Sequence, residues 1–148
     1  MKYPHKARTA GKGLALAGVG LAATLALSTS AFAAPSLSLG AGAVPADGGK
    51  VTVTGAGYTP GSTIVLLECD ADKPQGTACD KQGLVATTAD ARGDIKVTFT
   101  VRERFRSSDL TGGAGTADVD CSAGHCAIGA TDASRPGTQG AGVALTFG

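Results

Sequence analysis

Residues 95–101 read Ile-Lys-Val-Thr-Phe-Thr-Val, so that four apolar side chains alternate with three polar ones. Successive side chains of a β-strand point to opposite faces, and this alternation therefore predicts a strand with one buried face. Residues 50–54, Lys-Val-Thr-Val-Thr, repeat the pattern with two valines on one face. β-Branched residues are abundant in both segments and favour the same structure. The two segments predict a fold built from half-buried strands.

Five further segments after residue 33 are compatible with strands, and none of this part of the sequence has a sustained helical period. Residues 62–68 form a more continuous apolar run, which is typical of a central strand. Turn sequences rich in Gly, Asp and Pro separate the candidates. Seven short strands in about 110 residues predict an all-β, seven-stranded antiparallel immunoglobulin-like sandwich, with residues 102–117 unassigned. The weaker strand candidates are residues 36–40, 84–89, 126–130 and 141–147.

The first 33 residues have the organisation of a secretory signal. Residues 1–12 are basic, residues 13–27 are apolar, and Ala31-Phe32-Ala33 supplies the small-x-small pattern of a cleavage site. The alternative is an uncleaved membrane anchor, but the apolar run is shorter than the roughly 20 residues that span a bilayer. We expect cleavage near Ala33, secretion to the extracellular space, no membrane contact of the mature form, and one domain over residues 34–148.

The charge of the mature chain disfavours a nucleic-acid surface. The whole sequence has 13 Lys and Arg and 12 Asp and Glu, a net charge of +1. Four of the basic residues lie in residues 1–33, which contain no acidic residue, so residues 34–148 carry a net charge of −3. Proteins that bind nucleic acid through bulk charge are basic. We therefore expect no direct contact with DNA.

The sequence offers no convincing catalytic constellation, and we predict that the protein is not an enzyme. His125 is the only histidine after residue 33, and we expect it in an exposed loop. Two acidic groups could serve glycosidic acid–base chemistry or bind calcium weakly, and three alternating arginines could bind an anion. Solvated loops and a solvated strand edge are the favoured interpretations. The groups are Asp118 and Asp120; Glu68, Asp70 and Asp72; and Arg102, Arg104 and Arg106.

The four cysteines, Cys69, Cys79, Cys121 and Cys126, all follow the signal segment. Export places them in an oxidising compartment, where four cysteines can pair in three ways. The local pairing closes two small loops, each at the end of a predicted strand. A metal site with Cys121, Cys126 and His125 is the alternative, but these spacings are not those of common zinc modules. We expect no metal.

The two cysteine loops and the Val-Asp-Cys segment at residues 119–121 are the most specific members of a wider set of segments. The other segments are Ala-Ala-Pro at 33–35, Val-Thr-Val-Thr-Gly-Ala-Gly at 51–57, Thr-Thr-Ala-Asp-Ala-Arg-Gly at 87–93, Phe-Thr-Val-Arg at 99–102, and residues 140–147. Together these segments resemble the neocarzinostatin family, the apoproteins of enediyne chromoprotein antibiotics from actinomycetes. The resemblance covers essentially the whole mature chain.

The resemblance implies a fold, a disulfide pattern and a function. It implies the immunoglobulin-like sandwich with a ligand cleft at one end, and the pairs Cys69–Cys79 and Cys121–Cys126. It implies an apoprotein that binds and protects a small apolar, enediyne-type chromophore non-covalently, with no covalent cofactor. Antibiotic, antimicrobial and DNA-damaging action would belong to the chromophore, so that DNA is met only indirectly. We expect the protein to be a monomer.

The resemblance also assigns a ligand-binding set, and no member of that set has an aromatic side chain. Family clefts use aromatic rings that stack on the chromophore, each worth about 0.5–1.5 kcal/mol beyond its buried area. After the signal, this chain keeps only Tyr58, Phe99, Phe105 and Phe147. This loss supports an alternative, a secreted immunoglobulin-like module that binds another small metabolite, a glycan or a protein. The ligand-binding residues that the resemblance assigns are Ala71, Leu84, Leu110, Ala127, Gly129 and Thr131.

Overall fold

The computed structural model describes residues 33–40 and 44–148. The signal segment, apart from Ala33, lies outside the described residues, and its cleavage therefore stays a prediction. Among the residues that are described, no helix has both the length and the apolarity to cross a membrane.

The described residues form three antiparallel sheets. Their strands are β1 Ser36–Leu39, β2 Gly48–Ala56, β3 Thr63–Asp70, β4 Val85–Thr88, β5 Ile95–Arg102, β6 Arg104–Arg106, β7 Asp118–Asp120, β8 Cys126–Asp132 and β9 Ala141–Leu145, with a 3-10 turn at Lys81–Gly83. One sheet has the strand order β1-β2-β5, a second has the order β4-β3-β8-β9, and β6 and β7 form a two-stranded ribbon. The seven strands of the two larger sheets are the seven that the sequence predicts, which confirms the all-β immunoglobulin-like fold.

The core lies where alternate side chains of the two larger sheets meet. Val53 of β2 and Phe99 of β5 come from one sheet, and Ile64 and Leu66 of β3 and Ile128 of β8 come from the other. All five side chains have no exposed area. Full burial of a side chain of this size stabilises the fold by about 1.5–3 kcal/mol. The alternation that predicts the strands therefore also selects the residues of the core.

The ribbon β6–β7 contains residues that the sequence left unassigned, and it corrects the strand count to nine in the described part of the chain. Phe105 of β6 lies opposite Val119 of β7, and both side chains are buried against the core. Their neighbours point outward: Arg104 Nε donates to Asp120 Oδ2 at 2.9 Å, and Arg106 Nη1 donates to Asp118 Oδ1 at 3.1 Å. These arginines and carboxylates neutralise one another across the ribbon, so they form neither an anion patch nor a free carboxylate pair.

Disulfides join Cys69 to Cys79 and Cys121 to Cys126. This is the local pairing that the family resemblance implies. In the register of β3 against β8, Asp70 faces Cys126 and Cys69 faces Ala127, so both disulfides lie at the same end of the sandwich. Because the four sulfur atoms are paired in two disulfides, Cys121 and Cys126 have no free thiolate to bind the metal of the alternative site.

Candidate functional site

The floor of the candidate site is the outer face of the four-stranded sheet. Side chains of β8 alternate, with Ile128 and Ala130 buried in the core and Gly129 on the outer face. Gly129 pairs with Gly142 of β9, so neighbouring strands present two residues without side chains at this point. A Cβ atom added to Gly129 would meet no atom within 4 Å. The floor is therefore exposed backbone with open space above it.

Two adjoining cavities lie on this floor. One, of about 420 Å³, is mostly apolar and has Leu67, Leu110 and Pro136 in its lining. The other, of about 600 Å³, is more polar and has Asp70 and Lys73 in its lining. Small-molecule sites commonly have volumes of about 300–1,000 Å³. The cavities form one continuous cleft because they share five lining residues, namely Cys69, Gln75, Gly76, Gly129 and Gly137.

Two loops that flank the cleft are bonded to each other. The loop closed by the Cys69–Cys79 disulfide contributes Gln75 and Gly76 to the cleft. The second loop contributes Leu110, whose N–H donates to the carbonyl of Gly76 at 2.8 Å. Cys79 and Ser108 exchange two backbone hydrogen bonds at the base of these loops. Short cross-links of this kind fix the shape of the cleft before a ligand arrives.

His125 is exposed, as expected, and it is hydrogen-bonded to the first of these loops. Its Nδ1 lies 2.9 Å from Oδ1 of Asp72, and its backbone N–H donates to Oδ2 of Asp72 at 3.2 Å. These hydrogen bonds from His125 lower the pKa of the Asp72 carboxyl below its usual value. Neither residue lines the two cavities. The pair therefore tethers one disulfide loop to the other outside the cleft.

Glu68 corrects the expectation of a solvated acidic loop. It follows Ile64 and Leu66 on the inner face of β3 and has no exposed area. Its Oε2 accepts the backbone N–H of Arg102 at 2.8 Å, and the guanidinium of Arg102 is hydrogen-bonded to buried Asp80. Burial raises the pKa of Glu68 to about 7, the Arg102 N–H opposes that rise, and the charge of Asp80 adds to it.

The structure brings five of the six predicted ligand-binding residues to the cleft. Ala71 and Ala127 line the polar cavity, Leu110 and Thr131 line the apolar one, and Gly129 lines both. Leu84 directly follows the 3-10 turn, is 45% exposed, and lines neither cavity.

Sequence reasoning missed part of the cleft lining. Alternation along β3 could have identified Leu67, because it lies on the opposite face of the strand from the core residues Ile64 and Leu66. Gln75, Gly76, Pro136 and Gly137 are loop residues with no pattern that marks a binding site. None of the aromatic residues Tyr58, Phe99, Phe105 and Phe147 lines either cavity, since Tyr58 and Phe99 are buried and Phe105 and Phe147 pack against the same core.

Comparisons with known proteins identify one family. The model of the neocarzinostatin family matches residues 33–147. The antitumor antibiotic C-1027 apoprotein and actinoxanthin, both of Streptomyces globisporus, are each 34% identical over 152 residues, covering 100% of this chain and of each relative. Macromomycin of Streptomyces macromomyceticus is 33% identical over 131 residues, covering 87% of this chain and 89% of the relative.

Solved structures agree with the sequence comparisons. The macromomycin structure is 29% identical, has a TM-score of 0.66, and covers 78% of this chain and 100% of its own. The solution conformation of apokedarcidin is 24% identical with a TM-score of 0.56, over the same shares of the two chains, and supports the fold alone.

Proposed function

Because the chain belongs to the neocarzinostatin family, we propose that it is a secreted apoprotein that binds a small apolar chromophore of the enediyne type non-covalently and protects it. The observation that carries this proposal is the continuous cleft over the backbone floor at Gly129. A relative that covers the whole chain, including residues 1–33, is named as the apoprotein of an antitumor antibiotic. Secretion, the monomeric state and the domain over residues 34–148 belong to the same proposal.

Binding in this cleft would rest on apolar burial and shape. Leu67, Leu110 and Pro136 offer apolar surface, and each Å² that a ligand removes from water there contributes about 25 cal/mol. The exposed backbone of Gly129 and Gly142 would allow a flat ring system to approach the sheet closely. The protein would act by enclosing the ligand, without a covalent bond and without a reacting side chain. Damage to DNA would then come from a released chromophore, since the mature chain is acidic.

The cleft itself can be tested with a substitution that fills it. Gly129→Leu would place a side chain in the open space above the floor without a clash at its Cβ. Gly115→Leu is the matched control, because its Cβ would also meet no atom within 4 Å and Gly115 does not line the cavities. We expect titration with fluorescent 1-pyrenemethanol to show a loss of affinity of about tenfold or more for Gly129→Leu, about 1.4 kcal/mol, and none for Gly115→Leu.

Equal affinity of the two variants would contradict the proposed site. Thermal unfolding of both variants without the probe supplies the control for folding, and we expect both to retain a cooperative transition.

A second candidate function is favoured by the lack of aromatic side chains in the described cleft. A secreted immunoglobulin-like module for another small metabolite, a glycan or a protein would have no need of stacked rings. The absorption spectrum of the protein purified from its natural host separates the two candidates. The chain has no Trp, so absorption beyond the range of tyrosine would reveal a bound chromophore. A spectrum of protein alone, together with no binding of 1-pyrenemethanol, would favour the second candidate.

A further inference from the structure

Thr131 lies on the outer face of β8 and lines the apolar cavity, but its hydroxyl is already engaged within the protein. Its Oγ1 donates to the carbonyl of Thr138 at 3.1 Å and accepts the N–H of Gly137 at 2.9 Å. A threonine hydroxyl has one proton to donate. That proton is directed at the hairpin of residues 133–140, which connects β8 to β9.

The neighbouring residue holds the same hairpin from the other face of the strand. Asp132 is 2% exposed, and its Oδ1 accepts the N–H and the hydroxyl of Ser134 at 2.8 and 2.6 Å. Its Oδ2 accepts a hydrogen bond from Nε2 of Gln139 at 2.6 Å. Gln139 adopts the left-handed region, with φ of 52°, and its Oε1 accepts the N–H of Thr59. Asp132 therefore fixes the two ends of the hairpin, and Thr131 fixes the middle.

The part held by Thr131 is a wall of the cleft. Pro136 and Gly137 line the apolar cavity, and Gly137 also lines the polar one. Gly137 has a φ of +87°, a conformation that favours glycine, and its N–H is directed to Thr131. A displacement of this segment would change the shape of both cavities.

We infer that Thr131 is a positioning residue whose hydroxyl holds the 133–140 hairpin as a wall of the cleft and does not donate a hydrogen bond to the ligand. The ligand beside Thr131 then receives no hydrogen bond from this hydroxyl, whose one proton is given to Thr138. This inference rests on the proposed function, because it takes the cleft as a ligand site. The family resemblance assigns Thr131 to the ligand-binding set, and the inference gives its hydroxyl a positioning role within that set.

Two variants separate the hydroxyl from the methyl group. Thr131→Val removes the hydrogen bonds and keeps the branched shape, whereas Thr131→Ser keeps the hydroxyl. In the free protein, we expect amide hydrogen exchange at Gly137 to accelerate about two- to tenfold in Thr131→Val, as one lost hydrogen bond implies, and to stay unchanged in Thr131→Ser. We expect dissociation of 1-pyrenemethanol to accelerate in Thr131→Val by a similar factor and to be restored by Thr131→Ser.

Each other outcome would overturn a specific part of the inference. Weaker probe binding in Thr131→Val with unchanged exchange at Gly137 would assign the hydroxyl to the ligand. Faster exchange with unchanged probe dissociation would show that the hairpin does not shape the cleft. Amide exchange is measured without a ligand. Unchanged exchange at Gly137 in Thr131→Val would therefore overturn the claim that the Thr131 hydroxyl holds the hairpin, whatever the probe does. Failure of the unsubstituted protein to bind the probe counts against the proposed function, while the exchange result at Gly137 stands.

Discussion

At the scale of single residues, the buried carboxyl of Glu68 makes the stability of the fold depend on pH. It lies among core side chains on the inner face of β3, and its Oε1 is 3.7 Å from Sγ of Cys121. Burial of a charged carboxylate is unfavourable, and one backbone N–H from Arg102 compensates only part of that cost. Burial therefore raises the pKa of Glu68 from 4.5 to about 7. The native protein holds this proton under conditions in which the unfolded chain has released it.

The raised pKa of Glu68 predicts a defined pH dependence of stability. Between pH 4.5 and about 7 the native state binds more protons than the unfolded state, so the free energy of unfolding falls as pH rises through this window. One proton gives a slope of at most about 1.4 kcal/mol per pH unit, so the total fall is on the order of a few kcal/mol. Glu68→Gln removes the titrating group, and we expect urea unfolding to show a smaller fall across the same window. An equal fall in Glu68→Gln and in the unsubstituted protein would assign the effect to other groups.

The lowered carboxyl pKa values act in the opposite direction and at lower pH. Hydrogen bonds lower the pKa of Asp120 and Asp132, as they do for Asp72. A lowered pKa contributes stability above the ordinary value of the carboxyl, and that stability is lost as pH falls through the native value. The two effects therefore occupy different pH ranges, and the comparison with Glu68→Gln between pH 4.5 and 7 separates the contribution of Glu68.

At the scale of elements, the ribbon β6–β7 shows which interactions hold a short strand pair in place. The ion pairs Arg104–Asp120 and Arg106–Asp118 lie on its outer face, where exposed pairs contribute about 0–1 kcal/mol. Phe105 and Val119 on the inner face are 8% and 7% exposed. Burial of an aromatic side chain contributes several times more than an exposed ion pair. Apolar burial therefore dominates the attachment of the ribbon.

The contributions of the exposed ion pairs and of apolar burial to the stability of the ribbon can be measured separately. We expect a double-mutant cycle of Arg104→Ala and Asp120→Ala to give a coupling energy below about 1 kcal/mol. Phe105→Ala should lower the free energy of unfolding by about 3–5 kcal/mol, because it leaves a cavity in the core. Phe105→Leu is the milder control and should cost less. A coupling energy that exceeds the cost of Phe105→Ala would reverse the ordering.

The ribbon β6–β7 also shows which strands cannot be predicted from a local sequence pattern. Alternation over residues 50–54 and 95–101 identifies two strands clearly, because a buried face imposes a period of two, and a continuous apolar run identifies the strand at residues 62–68. The other four strands of the two larger sheets are weaker candidates in the sequence, separated by turn residues. A strand of three residues, such as Arg104–Arg106, is too short to display a period. Its partner Asp118–Asp120 is specified by tertiary contacts, since a glycine-containing loop separates the two. Pairing across such a loop is not encoded in any local pattern.

In the candidate site, too, some residues follow a local sequence period and others are placed by tertiary contacts. The family resemblance assigns the floor residues Ala127, Gly129 and Thr131, and the period of β8 explains why they share one face. The walls do not follow from a period, because the hairpin that carries Pro136 is held by hydrogen bonds that Gly137 donates to Thr131 and Ser134 donates to Asp132. Glu68 shows the converse case, in which alternation with Ile64 and Leu66 indicates burial that its charge alone would exclude.

At the scale of the whole molecule, the two disulfides lie at the same end of the sandwich but have different neighbours. Cys69 and Cys79 line the cleft, whereas Cys121 and Cys126 belong to the core cluster. The sequence separations are 10 and 5 residues. In the chain-entropy model such loops contribute about 3 and about 2 kcal/mol by restricting the unfolded chain. A domain of this size has a total stability of about 5–15 kcal/mol, so together the disulfides supply a large share of it.

Removal of each disulfide should therefore lower stability but affect the cleft differently. We expect Cys69→Ala with Cys79→Ala to lower the free energy of unfolding by about 3 kcal/mol and also to weaken binding of 1-pyrenemethanol, because the loop bearing Gln75 and Gly76 loses its closure. We expect Cys121→Ala with Cys126→Ala to cost about 2 kcal/mol and to leave probe affinity nearly unchanged where the protein stays folded. Urea unfolding and fluorescence titration of the two double variants check both expectations. Equal loss of probe affinity in both would mean that the cleft depends on the stability of the sandwich as a whole, and not on the loop that the Cys69–Cys79 disulfide closes.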